Sequence, residues 1–147
     1  MVPTSRRAQI PGVLSVPVLM ELSRVLVSDL DDQQAMYLRE VGGLRMFPIL
    51  IGPFEAQAIN RQLLEEEPFR PMTHQLLKNV IAALGGVIVE VMITEMKDHT
   101  YFAVLKVRTG ETVHDVDCRP SDAIAMAVHY SPPLPIFVAE QVLNELG

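Results

Sequence analysis

The chain has 147 residues and no tryptophan, and its other aromatics are limited to 3 tyrosines and 5 phenylalanines. A core must therefore be assembled from Leu, Ile, Val, Met and Ala. Cysteine is nearly absent as well. With Cys118 alone, no disulfide can close within the chain and no cysteine-based zinc site can form. A reducing, cytoplasmic setting fits that usage. No apolar run is long enough to span a membrane. The start of the chain carries the pair Arg6-Arg7, but Pro11 and Pro17 interrupt its apolar residues and no small-residue cleavage site follows. Residues 1–17 are expected to form a flexible arm.

Several chemical signatures are also missing. No Gly-x-Gly-x-x-Gly and no Walker loop occurs, so no nucleotide cofactor is expected. No HExxH or His-x-x-x-His occurs, which argues against a zinc hydrolase, and Ser121 has no Gly-x-Ser-x-Gly setting. Basic charge is short: 12 Lys and Arg stand against 18 Asp and Glu, for a net charge of -6. The basic residues are scattered. Tight, non-specific adhesion to nucleic acid rests on phosphate neutralisation and is disfavoured, which leaves room only for a weakly held nucleic-acid substrate.

What the chain does have is apolar content, 49% of its residues, enough for one folded domain over residues 18–147. It also repeats itself. VLVSDLDD (Val25 to Asp32) matches VMITEMKD (Val91 to Asp98) at an offset of 66, and THQLLKNV from Thr73 matches AEQVLNEL from Ala139 at the same offset. Pro53-Phe54-Glu55-Ala56 matches Pro120-Ser121-Asp122-Ala123 at an offset of 67. A fixed period outranks local signals in reading a fold. It predicts two copies, 19–85 and 86–147, sharing one core about a pseudo-twofold axis.

Each copy has the same coarse layout. In the second, strands are predicted over 87–96, 100–108 and 112–118, with turns at Lys97-Asp98-His99 and Thr109-Gly110-Glu111. The middle strand is apolar on both faces and is expected to be central. A helix begins at Pro120, where the missing N–H costs nothing. It is apolar over most of its surface and should be well buried. After SPPLP, an extended Ile136-Phe137 leads into a last helix. In the first copy, strands are predicted near 19–28, 34–40 and 45–51 and helices near 53–65 and 73–84. Thr73 is the expected N-cap of the second helix, which carries an apolar stripe of Leu76, Leu77, Val80, Ile81 and Leu84 and stops at Gly85-Gly86. Pro48 predicts that its strand lies at an edge or begins late. The predicted class is α+β: a tandem duplication of a three-stranded antiparallel meander followed by two helices, with helices packed on sheet.

The quartet Arg119-Pro120-Ser121-Asp122 raises a functional question. If each proline is the first helical residue, Glu55 and Asp122 are both third, facing the positive end of the helix dipole, a placement worth ~0.3–1 kcal/mol. Ser121 and Asp122 are both candidate caps. Capping accounts for the acid and the proline and leaves Arg119 unexplained, since a cation is unhelpful at a helix start. Arg119 is therefore expected to have a partner: Asp117, Asp115 or a bound anion.

The segments PILIGPFEAQAI, RPMTHQLLKNVIAALGG, DCRPSDAIAMAV and PIFVAEQVL, in this order, resemble the bifunctional nuclease domain family over roughly residues 20–147. The resemblance implies an α+β fold, a cytoplasmic setting and combined RNase and DNase activity. It supplies no catalytic residues; those come from the residues themselves. Asp115 and Asp117 lie two apart on a strand and point to one face, and their counterparts in the first copy are Pro48 and Leu50. With Asp122 they make three carboxylates within eight residues, a candidate set for Mg²⁺ or Mn²⁺, ions that favour oxygen ligands and activate water in phosphodiester hydrolysis. The competing reading is a solvated strand edge with an Arg119–Asp117 pair. His74 and Lys78 share a helix face. His74 is a candidate general base, with Asp122 and Asp117, while Arg119, Ser121, Arg70 and Lys78 are candidates for holding phosphate. Their competing reading is a helix cap with surface His and Lys. His99 is expected in a turn, and His114 and His129 at the surface or an edge.

Two functions follow. One is metal-assisted cleavage of RNA and DNA. The other is a non-enzymatic oligomeric module binding a small ligand or protein. The mean hydropathy of +0.24 with modest net charge suggests leftover apolar surface and hence a homo-dimer.

Overall fold

The computed structural model describes residues 16–27 and 33–146. The flexible-arm expectation and the end of the VLVSDLDD block fall largely outside them. The described elements run β1 (Val18–Val27), β2 (Gln34–Glu40), β3 (Met46–Ile51), α1 (Pro53–Leu63), α2 (Thr73–Ala83), β4 (Gly86–Lys97), β5 (Thr100–Thr109), β6 (Thr112–Cys118), α3 (Pro120–Val128), β7 (Ile136–Val138) and α4 (Glu140–Leu146). The class is α+β, with helices packed on a mixed sheet.

Local chemistry accounts for the turns. Asp98 and His99 both adopt positive φ, 53° and 64°, which makes a two-residue β4–β5 hairpin of the kind whose twist suits right-handed strands. Gly110, at φ 61°, opens the β5–β6 turn. Gly85, at φ 84°, ends α2 and its N–H returns to the Ala82 carbonyl.

One sheet holds seven strands in the order β3-β2-β1-β7-β4-β5-β6. The strands β1-β2-β3 pair antiparallel in sequence order, and so do β4-β5-β6. The three residues of β7 lie between these groups, antiparallel to β1 and parallel to β4. The extended Ile136-Phe137 expected from the sequence is therefore the strand that joins the two halves into one sheet. We propose the tandem duplication as the origin of this layout. β3 lies at an edge, one of the two placements Pro48 allowed.

Register decides what each face carries. Met36 pairs with Val25 and Ile49, and Leu38 with Leu22 and Phe47, all facing the helices. Across the other half, Ile93 pairs with Ala103 and Val91 with Leu105 and Ile136 on the same face. The Phe47 and Tyr101 rings meet at 5.9 Å although β3 and β5 are far apart in strand order, so the sheet curls around its core.

α3 occupies the centre of that core. All of its residues except Asp122 are buried. α2 behaves differently: none of its residues is buried, and of its apolar stripe only Ile81 packs partly against the core. Leu76, Leu77, Val80 and Leu84 are exposed. Thr73 is the first helical residue, and Met72 takes the cap position that the sequence assigns to Thr73. Among the described residues no helix is long and apolar enough to cross a membrane.

Because β7 closes the sheet through Ile136, which is 3% exposed, Ile136→Ala should cost about 2–5 kcal/mol of unfolding free energy. Leu44→Ala, at a side chain 99% exposed, should stay within about 0.5 kcal/mol. Urea titration of both variants checks the contrast.

Candidate functional site

The polar quartet meets α1 rather than its own strand. Proline opens both α1 and α3, with Gly52 and Arg119 at the extended cap positions and no side-chain capping bond at either helix. Arg119 donates from Nη1 to Glu55 Oε2 at 2.7 Å, and from Nε and Nη2 to the Asp122 carboxylate at 3.0 and 3.2 Å. The two acids expected as separate caps are thus joined by one guanidinium across the two halves of the chain. Its partners are Glu55 and Asp122, not the expected Asp115 or Asp117.

His74, in the first turn of α2, approaches Asp122 from the other side: Nε2 stands 3.4 Å from Oδ1. Burial pushes the Asp122 carboxyl up, but the hydrogen bonds and charges of Arg119 and His74 outweigh it and hold the group below its ordinary value. Asp122 is therefore ionised at neutral pH, and the His74 Nε2 must carry the hydrogen in their contact.

One turn further along α2, Lys78 donates from Nζ to the His129 carbonyl at 2.8 Å and sits 4.1 Å from the Tyr130 ring centroid. It caps the carbonyl end of α3, where a cation is favourable. Lys78, expected at a phosphate, lies at the end of α3. The shared face of His74 and Lys78 is real, and it is turned onto α3.

His129 enters the site unannounced. It lies seven residues, two helical turns, beyond Asp122, which puts both on the face of α3 that meets α2. Its ring lies 5.8 Å from that of His74, centroid to centroid. Its Nδ1 donates to the Ala125 carbonyl at 2.6 Å, which leaves the lone pair of the neutral ring on Nε2. Burial holds His129 below the ordinary histidine value; the Ala125 bond opposes this, and the charges of His74 and Lys78 reinforce it. The two-turn spacing from Asp122 was the sequence signal for it, but that spacing becomes informative only once the α2–α3 contact is known.

Both rings line a cleft of about 480 Å³ between the end of α1 and the start of α2. Its walls include Arg61, Phe69 and Met72, and its rim carries Glu65, Glu66 and Glu67. Arg70 is exposed between the lining residues Phe69 and Pro71. Ser121 is buried, 6% exposed, in the first turn of α3.

The two strand carboxylates lie elsewhere. Asp117 pairs with Val104 and Asp115 with Lys106, whereas Cys118 pairs with Ala103 of the core. Strand alternation therefore turns Asp115 and Asp117 to the sheet face away from α3. The Asp115 carboxylate accepts from Lys106 Nζ at 2.9 Å. The spacing argument put these two acids on one face correctly, but that face is not the one Asp122 occupies. Among the described residues no group of three His, Cys, Asp or Glu side chains stands together to hold a metal ion.

The bifunctional nuclease domain model matches residues 36–147. The chain belongs to the bifunctional nuclease domain family. Two relatives in Mycobacterium tuberculosis, the Uncharacterized protein Rv1829 of strain H37Rv and the Uncharacterized protein MT1877 of strain CDC 1551, are each 38% identical over 123 residues. The match covers 84% of this chain and 72% of each relative. The family match begins within β2 and runs through α4, and so takes in every residue of the cluster formed by Glu55, Arg119, Asp122, His74 and His129.

Two outcomes follow from this geometry. Asp122→Asn should lose about 1–2 kcal/mol at neutral pH by weakening charged hydrogen bonds. Because the folded-state value of Asp122 lies below its ordinary 3.8, the wild-type advantage is complete above 3.8 and fades as the pH falls through the lower folded value. Urea titrations at neutral and strongly acid pH check this. Burial first, then the charges of Asp122 and Asp117, push the Cys118 thiol up to about 12. Iodoacetamide should accordingly label Cys118 far more slowly in the native protein than after denaturation at the same pH, as mass spectrometry would show.

Proposed function

We propose that the protein is a nuclease that cleaves phosphodiester bonds of RNA and DNA at the cleft between α1 and α2. The observation that carries this reading is the His74–Asp122 contact, in which an imidazole on a cleft wall is held from behind by an ionised carboxylate. General acid–base catalysis uses this arrangement, because the carboxylate fixes which ring nitrogen carries the hydrogen. Family membership supports phosphodiester chemistry. Arg119 positions Asp122, while Arg61 and Arg70 are the cations available to a phosphate at the cleft. The glutamates on the rim and the net charge of -6 support a substrate held weakly.

Mg²⁺ or Mn²⁺ would supply Lewis acidity to such a reaction. Asp115, Asp117 and Asp122 do not fit as its donor set. Asp115 and Asp117 face away from α3, Asp115 is paired with Lys106, and Asp122 already serves Arg119 and His74. No step is assigned to an ion on these residues.

A second reading, a homo-dimeric binding module, is favoured by the exposed stripe of Leu76, Leu77, Val80 and Leu84 on α2. A second copy laying the same stripe against it would make an isologous interface. A monomer mass by light scattering at micromolar concentration would remove the dimer.

Incubating pure protein with single-stranded RNA and with plasmid DNA, in Mg²⁺, Mn²⁺ or EDTA, tests the nuclease reading. Cleavage should fall at least about 100-fold in Asp122→Asn carried through the same purification. Equal cleavage by both preparations would place the activity outside this site.

A further inference from the structure

We infer that His129 and His74 form an acid–base pair that cleaves single-stranded RNA through its own 2′-hydroxyl, without a metal ion. The inference rests on the nuclease reading and concerns its RNA reaction alone, for which it names the second catalytic residue; cleavage of DNA would need another route. Three observations carry it. The two rings stand 5.8 Å apart on the wall of one cleft, close enough for both to reach oxygens on one phosphorus. Each ring is held by one nitrogen, His129 through Nδ1 to the Ala125 carbonyl and His74 through Nε2 to Asp122. And the candidate ion-binding carboxylates are separated, Asp122 on α3 and Asp115 and Asp117 on the sheet face away from that helix.

The hydrogen bonds assign the roles. With Nδ1 donating to a carbonyl, a neutral His129 presents a lone pair on Nε2 and serves as the base. Its burial, with the charges of His74 and Lys78 nearby, favours that neutral form. His74 gives its Nε2 to the ionised Asp122, itself bound to Arg119, which leaves Nδ1 to face the substrate. Its Nδ1–H is then the proton donor. In the reaction, His129 Nε2 takes the proton of the 2′-hydroxyl as O2′ bonds to phosphorus. The P–O5′ bond breaks with its electron pair on O5′, and His74 Nδ1 gives that oxygen a proton. The products are a 2′,3′-cyclic phosphate and a 5′-hydroxyl, and neither water nor an oxidant is consumed. DNA has no 2′-hydroxyl and has no route through this pair.

The cleft suits a single strand. Phe69 on its wall is 99% exposed and offers a stacking surface for a base. Arg61 offers a phosphate contact, while Glu65, Glu66 and Glu67 oppose a duplex, which carries twice the charge per length.

The test uses the whole chain in EDTA with a single-stranded oligoribonucleotide, its 2′-O-methyl counterpart and the same sequence as DNA. Only the unmodified RNA should be cut, with mass spectrometry showing cyclic phosphate and 5′-hydroxyl ends. His129→Gln and His74→Gln should each slow cleavage at least about 100-fold. The wild-type product chemistry stands independently of whether those variants fold. Cleavage confined to Mg²⁺ or Mn²⁺ and leaving 5′-phosphate ends overturns the histidine pair and leaves the nuclease reading intact. Cleavage of neither RNA nor DNA under any of these conditions overturns both.

Discussion

α3 is buried along its whole length except at Asp122, and the polar architecture follows from that one constraint. A half-buried carboxylate must find charged or hydrogen-bonded partners or lose its charge. From Ala123 onward the helix is alanine, isoleucine, methionine and valine packed into the core, and offers no charged partner. The partners come from three directions. Arg119 arrives from the residue before the helix, Glu55 completes the guanidinium from α1, and His74 reaches in from α2. Three helix N-terminal regions are thereby drawn to one carboxylate.

The energetic and functional sides of this cluster differ. Arg119 is largely exposed, its side chain 64% accessible, so its bridge to Glu55 contributes modestly to stability. Its value lies in geometry, since its fork holds both oxygens of Asp122 and shares Oδ1 with His74. Lys78 acts on the same contact from the far end of α3, where its bond to the His129 carbonyl and its place over Tyr130 hold α2 in register. The two histidine rings are then neighbours because α2 is pinned at both ends of α3.

Most elements were legible before the fold was known, because their signals are local. Strand alternation, the prolines at 53 and 120 and the positive-φ turns at Asp98-His99 and Gly110 depend only on nearby residues. The exceptions show where local signals stop. The stripe on α2 reads as a core face but stays largely exposed, because periodicity reports an apolar side without reporting what lies opposite it. Ile136-Phe137 reads as a minor extended piece and is the strand between β1 and β4, because three residues carry no information about their neighbours.

The same division runs through the candidate site. Sequence alone determined that Asp122 and Glu55 begin helices in matched positions, that Arg119 needs a partner, and that His74 and Lys78 share a face. Only the tertiary structure decided that the partner is a pair of acids from both halves, that Lys78 serves the end of α3, that Asp115 and Asp117 lie on the far face of the sheet, and that His129 belongs beside His74. The physical reason is that helix and strand periods fix which way a side chain points relative to its own backbone. Which face of the sheet the helices cover, and which helix lies alongside α3, depends on contacts between residues far apart in the chain.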